Sequence, residues 1–214
     1  MLSLAYFKAP GLPGSLEEIP LEYFEQAFDW LAKQPGVIAD EYALLGGSKG
    51  AEVGLVLGSR YSQVKAVVGF MPSSVVWQGI PKNRFAIGKD PKSSWSYKGK
   101  GLPFVPSSLS LKDIGALLTL NLRESAVRDL QNEERVSEAR IAVEKIQGAI
   151  LLLSARQDRL WPSTEMSDQM LDQLAKVGFA HPYQHIAYDT GHGGMLRDRK
   201  CWRGVFDFLE QHFA

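Results

Sequence analysis

A short glycine- and serine-rich segment constrains the fold of this chain more than any other feature. Gly46-Gly47-Ser48-Lys49-Gly50 directly follows the apolar run Tyr42-Ala43-Leu44-Leu45. Glycines around a serine allow a sharp turn from a strand into a helix, and the serine then stands exposed above the sheet. The helix that follows would direct the positive end of its dipole toward developing negative charge. The segment therefore predicts a nucleophile elbow at Ser48, or alternatively a turn with no chemistry.

An acid and then a histidine follow Ser48, in the chain order that α/β-type serine hydrolases use. Asp158 comes just after the apolar run 150–154, and His192 lies in a glycine-rich loop after the strand pattern 184–188. In such a set the histidine takes the proton of the serine, and the acid orients the imidazole. Asp189, three residues before His192, is a rival for the acid, but the fold-level order favours Asp158.

Apolar periodicity along the chain alternates between strand and helix patterns. It predicts strands at about 2–7, 41–46, 64–70, 149–154 and 184–188, and helices at about 20–34, 49–60, 163–177 and 199–213. This alternation is typical of an α/β fold with a mostly parallel sheet flanked by helices. Prolines and small residues interrupt the pattern from about 71, and a charge-rich helical stretch follows at about 121–147. We expect one catalytic domain over 1–214, with an inserted cap at about 71–147.

Composition narrows the class of protein. The 214 residues carry 24 basic and 24 acidic side chains, so bulk electrostatic attraction to nucleic acid is not expected. No apolar run is long enough to span a bilayer and no signal peptide is recognised, which predicts a cytoplasmic protein. The single cysteine, Cys201, is expected to be a small buried apolar residue. Neither a metal nor another cofactor is predicted, and the oligomeric state stays open.

Several segments together resemble one family, in register from Leu4-Ala5-Tyr6-Phe7 to the last helix. They are Leu21-Glu22-Tyr23-Phe24-Glu25, residues 44–52, Tyr97-Lys98-Gly99, Val143-Glu144-Lys145-Ile146 and residues 158–163. The family is the C-terminal catalytic domain shared by type I acyl-CoA thioesterases and bile acid-CoA:amino acid N-acyltransferase, within the α/β-hydrolase superfamily. The resemblance implies a serine hydrolase of acyl-CoA thioesters with Ser48, Asp158 and His192 as its triad.

Two departures from the family pattern bear on mechanism. The transferase members use a cysteine nucleophile, so the serine here favours hydrolysis by water over conjugation to an amine. The match also begins at the fourth strand of the standard fold, which makes residues 1–7 that strand and leaves the first strands absent. A misassigned start, a fragment of a longer protein or a shortened domain would each explain this. The Lys49 backbone N–H is expected to bind the oxyanion, with Phe7 or Lys8 as the substitute second donor.

The region between 77 and 104 holds the candidate substrate-binding residues. Between residues 80 and 100 the sequence has six basic residues and one acidic residue, Asp90. Lys82 and Arg84 are candidates for binding the phosphates of coenzyme A. Trp77 and Phe104 are candidates for an acyl pocket. A solvated lysine-rich loop and ordinary aromatic packing explain the same residues without a substrate. Two other functions stay open: an esterase of the carboxylesterase or dienelactone-hydrolase kind, and an inactive fragment that only binds.

Overall fold

The computed structural model describes residues 1–83, 89–108 and 114–213. We number the elements of these ranges in chain order. The strands are β1 Ile19–Pro20, β2 Tyr42–Gly47, β3 Val64–Phe70, β4 Trp95–Tyr97, β5 Lys100–Gly101, β6 Ala149–Ala155 and β7 Tyr183–Tyr188. The helices are α1 Leu21–Leu31, α2 Lys49–Arg60, α3 Ile114–Thr119, α4 Arg123–Asp129, α5 Glu133–Ala139, α6 Ser163–Lys176 and α7 Arg199–His212, with short 3-10 turns at Val143–Lys145 and Gly194–Arg197.

The larger sheet has the order β2-β3-β6-β7, and each neighbouring pair is parallel. Helices cover both of its faces. Val67 of β3 lies against Gly54 and Gly58 of α2, whereas Val68 belongs to the cluster that includes Val205 of α7. Since neighbouring side chains of a strand point to opposite faces, both faces must be apolar, and β3 and β6 are therefore nearly continuous apolar runs. The prediction of a mostly parallel sheet flanked by helices is confirmed.

The chain divides into two compact units. The first contains Met1–Asp40, Val75–Thr119 and Ser125–Arg140; the second contains Glu41–Ser74, Leu120–Glu124 and the chain from Ile141 onward. The parallel sheet, α2, α6 and α7 belong to the second unit, and so do Ser48, Asp158 and His192. The sequence patterns did not anticipate that the first forty residues group with the later segments. The single catalytic domain and the cap at 71–147 stay predictions.

The predicted strand at 2–7 is wrong, because residues 1–6 form no regular secondary structure and residue 7 lies in a bend. Their apolar side chains have another use in the first unit. The ring of Tyr6 lies 5.6 Å from that of Phe24 in α1 and 5.6 Å from that of Trp95 in β4. The Tyr23 hydroxyl donates to the Ala5 carbonyl at 2.8 Å. An aromatic cluster therefore takes the place of a sheet ladder, and within the described residues β2 pairs only with β3.

Most other element boundaries agree with the sequence patterns to within a few residues. The charge-rich helical stretch predicted at 121–147 is divided into three short segments: α4, α5 and the Val143–Lys145 turn. Ala126, Ala139 and Val143 are buried along it. Small apolar side chains between the charges thus give each short segment a packed side, which the alternation of charges did not reveal.

Candidate active site

Ser48 occupies a strained turn between β2 and α2. Its backbone has φ 56° and ψ −119°, in the positive-φ range that side chains other than glycine rarely adopt. Its N–H donates to the Phe70 carbonyl of β3 at 2.8 Å, which ties the turn to the neighbouring strand. Glycine is required just before it, since a Cβ at Gly46 would lie 2.2 Å from the Gly50 carbonyl oxygen. The geometry is that of a nucleophile elbow.

Asp158 lies just beyond the end of β6, and its side chain is closed to solvent. Three groups of its own segment hold the carboxylate. The Leu160 N–H donates to Oδ1 at 2.9 Å, the Trp161 N–H donates to Oδ1 at 3.4 Å, and the Ser163 hydroxyl donates to Oδ2 at 2.8 Å. A buried carboxylate is costly unless donors replace its lost water, and these donors do so. The acid is thereby kept in one orientation.

His192 meets Asp158 because backbone hydrogen bonds join the segments after β6 and β7. The Arg156 N–H donates to the Tyr188 carbonyl at 2.9 Å, and the Gln157 N–H donates to the Thr190 carbonyl at 3.0 Å. His192 Nδ1 lies 2.9 Å from Oδ2 and 3.0 Å from Oδ1 of Asp158. A proton on Nδ1 satisfies this contact and leaves Nε2 free to accept one, which is the tautomer that a general base needs.

Ser48, Asp158 and His192 all follow the carboxyl ends of strands in one parallel sheet, and such ends line one edge of it. The structure joins His192 to Asp158. Asp189, the rival acid, instead accepts a hydrogen bond from Gln157 Nε2 at 2.9 Å. Among the hydrogen bonds of the described residues, none links the Ser48 hydroxyl to His192. Such bonds are often long before substrate is bound, so the elbow and the pair keep their predicted roles as predictions.

The side chain of Lys49, the residue after Ser48, lies along the first turn of α2. Lys49 Nζ donates to both carboxylate oxygens of Glu52, at 2.9 and 2.8 Å. Burial lowers the pKa of the Lys49 ammonium, and the charge and hydrogen bond of Glu52 act against that shift. The pair is a buried ion pair directly behind the elbow. The sequence motif did not reveal it, although a lysine and a glutamate three residues apart can meet on a helix.

The predicted oxyanion donors lie in both units. Lys49 is the first residue of α2, so its N–H lies at the positive end of a helix. Phe7 and Lys8 belong to the first unit, and the Lys8 N–H donates to the Pro13 carbonyl at 2.8 Å. The roles of all three at an oxyanion stay predictions.

The predicted substrate-binding residues belong to the first unit. Lys82 is exposed, Phe104 is half-buried, and Trp77 is only 7% exposed. The Trp77 carbonyl accepts a hydrogen bond from the Ser94 hydroxyl at 2.9 Å, which shows Trp77 as part of that unit's packing. Arg84 lies outside the described residues. Contact of these residues with coenzyme A or an acyl chain stays a prediction.

Two residues next to the predicted triad were not singled out from the sequence. Trp161 lies edge to face with His192, with ring centroids 5.3 Å apart, and its indole N–H donates to the Met71 carbonyl at 3.2 Å. Ser163 holds Asp158, as described above. Both belong to the segment 158–163 that carries the family resemblance, so the motif was visible but the purpose of each residue was not.

Cys201 is fully buried, and burial raises the pKa of its thiol. Burial also raises the pKa of Tyr188, to about 12, with its hydrogen bond to Cys201 as the next cause. Over the described ranges no three His, Cys, Asp or Glu side chains converge as metal ligands. In those same ranges every helix is too short or too polar to cross a membrane.

Comparison with known sequences finds a matching family model and several related proteins. The family model for the C-terminal part of BAAT and acyl-CoA thioester hydrolases matches residues 19–194. Mouse mitochondrial acyl-coenzyme A thioesterase 2 is 31% identical over 193 residues, which cover 90% of this chain and 38% of the relative. Mouse peroxisomal succinyl-coenzyme A thioesterase is 29% identical, with 89% and 42% covered. The chain thus spans about two fifths of the length of these relatives.

Solved structures with the same fold are more distant in sequence. Acylaminoacyl peptidase from Pyrococcus horikoshii aligns with 90% of this chain and 27% of its own, at a TM-score of 0.55 and 14% identity. The α/β hydrolase GrgF from Penicillium sp. sh18 aligns with 90% of this chain and 71% of its own, at a TM-score of 0.51 and 18% identity. At such identity these likenesses establish the α/β-hydrolase fold alone.

Proposed function

The chain belongs to the BAAT / acyl-CoA thioester hydrolase C-terminal family, and on that premise we propose that it hydrolyses acyl-CoA thioesters through an acyl-enzyme on Ser48. The observation that carries the proposal is the hydrogen-bonded pair of His192 and Asp158 at the sheet edge where the strained Ser48 elbow lies. The family supplies the substrate class, since the matched relatives include acyl-coenzyme A thioesterases.

In the first half-reaction, His192 Nε2 accepts the proton of Ser48 as the hydroxyl oxygen attacks the thioester carbonyl. The resulting imidazolium donates a hydrogen bond from its Nδ1 proton to Asp158. The negative charge of Asp158 stabilises the imidazolium. The Lys49 N–H, at the start of α2, donates to the oxyanion of the tetrahedral intermediate. When the intermediate collapses, the C–S bond breaks, and the imidazolium gives its proton to the sulfur of coenzyme A.

In the second half-reaction, water replaces coenzyme A. His192 takes a proton from the water as its oxygen attacks the acyl-enzyme, and returns that proton to Ser48 as the acid leaves. A serine ester suits this step, whereas one matched relative, bile acid-CoA:amino acid N-acyltransferase of mouse, is named for transfer to an amino acid. Cys201 is no candidate nucleophile, because its thiol is buried and protonated.

The test is release of free coenzyme A from a ladder of acyl-CoA substrates by the protein and its Ser48→Ala variant. We expect the variant to lose turnover by about 10³-fold or more. Ser59→Ala is the matched control, because it removes another α2 hydroxyl that donates only to the Val56 carbonyl. Activity that survives Ser48→Ala would contradict the proposed acyl-enzyme.

Three further measurements separate the alternatives. Faster turnover of short p-nitrophenyl esters than of any acyl-CoA would assign the chain to the oxygen-ester hydrolases. Formation of an N-acyl product when glycine is added would assign it to amino acid conjugation. Failure of Ser48 to react with a fluorophosphonate probe, together with no coenzyme A release, would leave a binding protein.

A further inference from the structure

A second serine, histidine and aspartate set lies in the same unit as the proposed triad. Ser154 Oγ of β6 lies 2.7 Å from Nε2 of His185 in β7, and His185 Nδ1 lies 2.8 Å from Oδ1 of Asp168 in α6. Ser154 is fully buried, so no substrate reaches it and the set cannot act as a second hydrolytic site. Its arrangement needs another explanation.

The set is connected to the start of α6. Ser154 Oγ also lies 3.0 Å from Thr164 Oγ1, so the hydroxyl of the second residue of α6 continues the chain of hydrogen bonds. The first residue of that helix, Ser163, donates to Asp158 Oδ2 at 2.8 Å and accepts from the Ala155 N–H at 3.3 Å. Two consecutive residues of β6 thus hold two consecutive residues of α6.

These contacts determine where the Ser163 hydroxyl can be. Pro162 precedes the helix without a side-chain cap, so the first turn of α6 depends on other partners for its position. Thr164 is hydrogen-bonded to Ser154, and Ser154 is also hydrogen-bonded to His185. His185 in turn contacts Asp168, which lies one turn after Thr164 in α6. The hydrogen bonds therefore form a closed connection from α6 through β7 and β6 back to α6. A closed connection of this kind restricts the rotamers of the groups that it joins.

We propose that Ser163 is a positioning residue for Asp158, and that Thr164, Ser154, His185 and Asp168 keep it in place. This inference rests on the proposed function for its effect on turnover, but not for its effect on His192. The hydrogen bond from the Ser163 O–H stabilises part of the negative charge of the Asp158 carboxylate. Without it, more of that charge acts on the imidazolium of His192, which favours the protonated form.

The decisive measurement is the titration of His192 by NMR of protein labelled with ¹⁵N-histidine, with the signal assigned from a His192→Gln variant. In Ser163→Ala we expect the His192 midpoint to rise by about 0.5–1 pH unit. Thr164→Val and His185→Gln should raise it less, because they loosen Ser163 without removing it. Ser167→Ala is the control: its hydroxyl donates to the Ser163 carbonyl at 2.7 Å and does not touch Asp158.

In the kinetic assay, Ser163→Ala should lower kcat about tenfold at neutral pH with KM nearly unchanged, and should move the acid limb of kcat/KM to higher pH. An unchanged His192 midpoint in Ser163→Ala or in Thr164→Val would overturn the inference, and so would an equal shift in Ser167→Ala. Thermal melting of each variant identifies any that fails to fold. If Ser163→Ala fails to fold, the inference is still tested by Thr164→Val, whose side chain is close to the wild type in volume. The titration needs no substrate, so it distinguishes failure of this inference from failure of the proposed hydrolase.

Discussion

At the scale of residues, Asp158 is a charged side chain enclosed by hydrogen-bond donors. A carboxylate with a solvent-closed side chain is retained because two backbone N–H groups, one hydroxyl and one imidazole surround it. These four donors come from three segments of the chain: the turn after β6, the start of α6 and the loop after β7. A small change in any of them therefore acts on the one charge that orients His192.

Replacing Asp158 with Asn tests that role. The amide keeps the shape but offers no charge for the imidazolium and favours the wrong tautomer of His192, so we expect kcat to fall by about 10³–10⁴-fold. Asp189→Asn is the control, since Asp189 is bonded to Gln157. Steady-state thioester hydrolysis measures both. A larger loss in Asp189→Asn than in Asp158→Asn would reverse the assignment of the acid.

At the scale of elements, the connection from β2 to α2 leaves no room for a side chain at Gly46. The strand and helix meet so closely that the backbone of Gly50 fills the space where a side chain at Gly46 would be. The neighbouring Gly47 has more room: a Cβ there would lie 3.8 Å from Met71 Cε and 3.9 Å from Phe70 Cβ, in ordinary contact. The two glycines of the motif are thus not equivalent, although the motif alone does not distinguish them.

This difference gives a paired prediction. Gly46→Ala should lower the free energy of unfolding by about 3 kcal/mol or more, because the elbow cannot form without backbone movement. Gly47→Ala should fold with nearly wild-type stability. Urea unfolding followed by circular dichroism measures both. Equal tolerance of the two substitutions would contradict the close approach of strand and helix.

At the scale of the whole molecule, stability of the second unit depends on the two central strands of the parallel sheet. β3 and β6 are buried on both faces of the sheet, and apolar side chains of α7 pack on one of these two faces. Burial of this kind is the main favourable contribution to folding. The outer strand β2 is partly exposed along its length, so we expect it to contribute less per residue.

Leu152→Ala in β6 removes a fully buried side chain and should lower the free energy of unfolding by about 2–5 kcal/mol. Leu120→Ala is the matched control, because Leu120 belongs to the same unit and is 48% exposed. Thermal and urea unfolding compare the two. A similar loss of stability in both variants would show that burial in this sheet is not what holds the unit together.

Local pattern alone was enough for most of the long elements and for the order of the candidate residues. The apolar residues of α1 and α7 recur at helical spacing, whereas β3 and β6 are short, nearly continuous apolar runs, which favours buried strands. The same local pattern failed at residues 2–7, where an apolar run met aromatic partners distant in sequence and no strand neighbour. The grouping of residues 1–40 with later segments, the Lys49–Glu52 pair and the hold of Ser163 on Asp158 were decided in three dimensions. Each depends on which segments of the chain cover these groups when charges and hydrogen-bond donors lose their water, and a one-dimensional pattern carries no record of those segments.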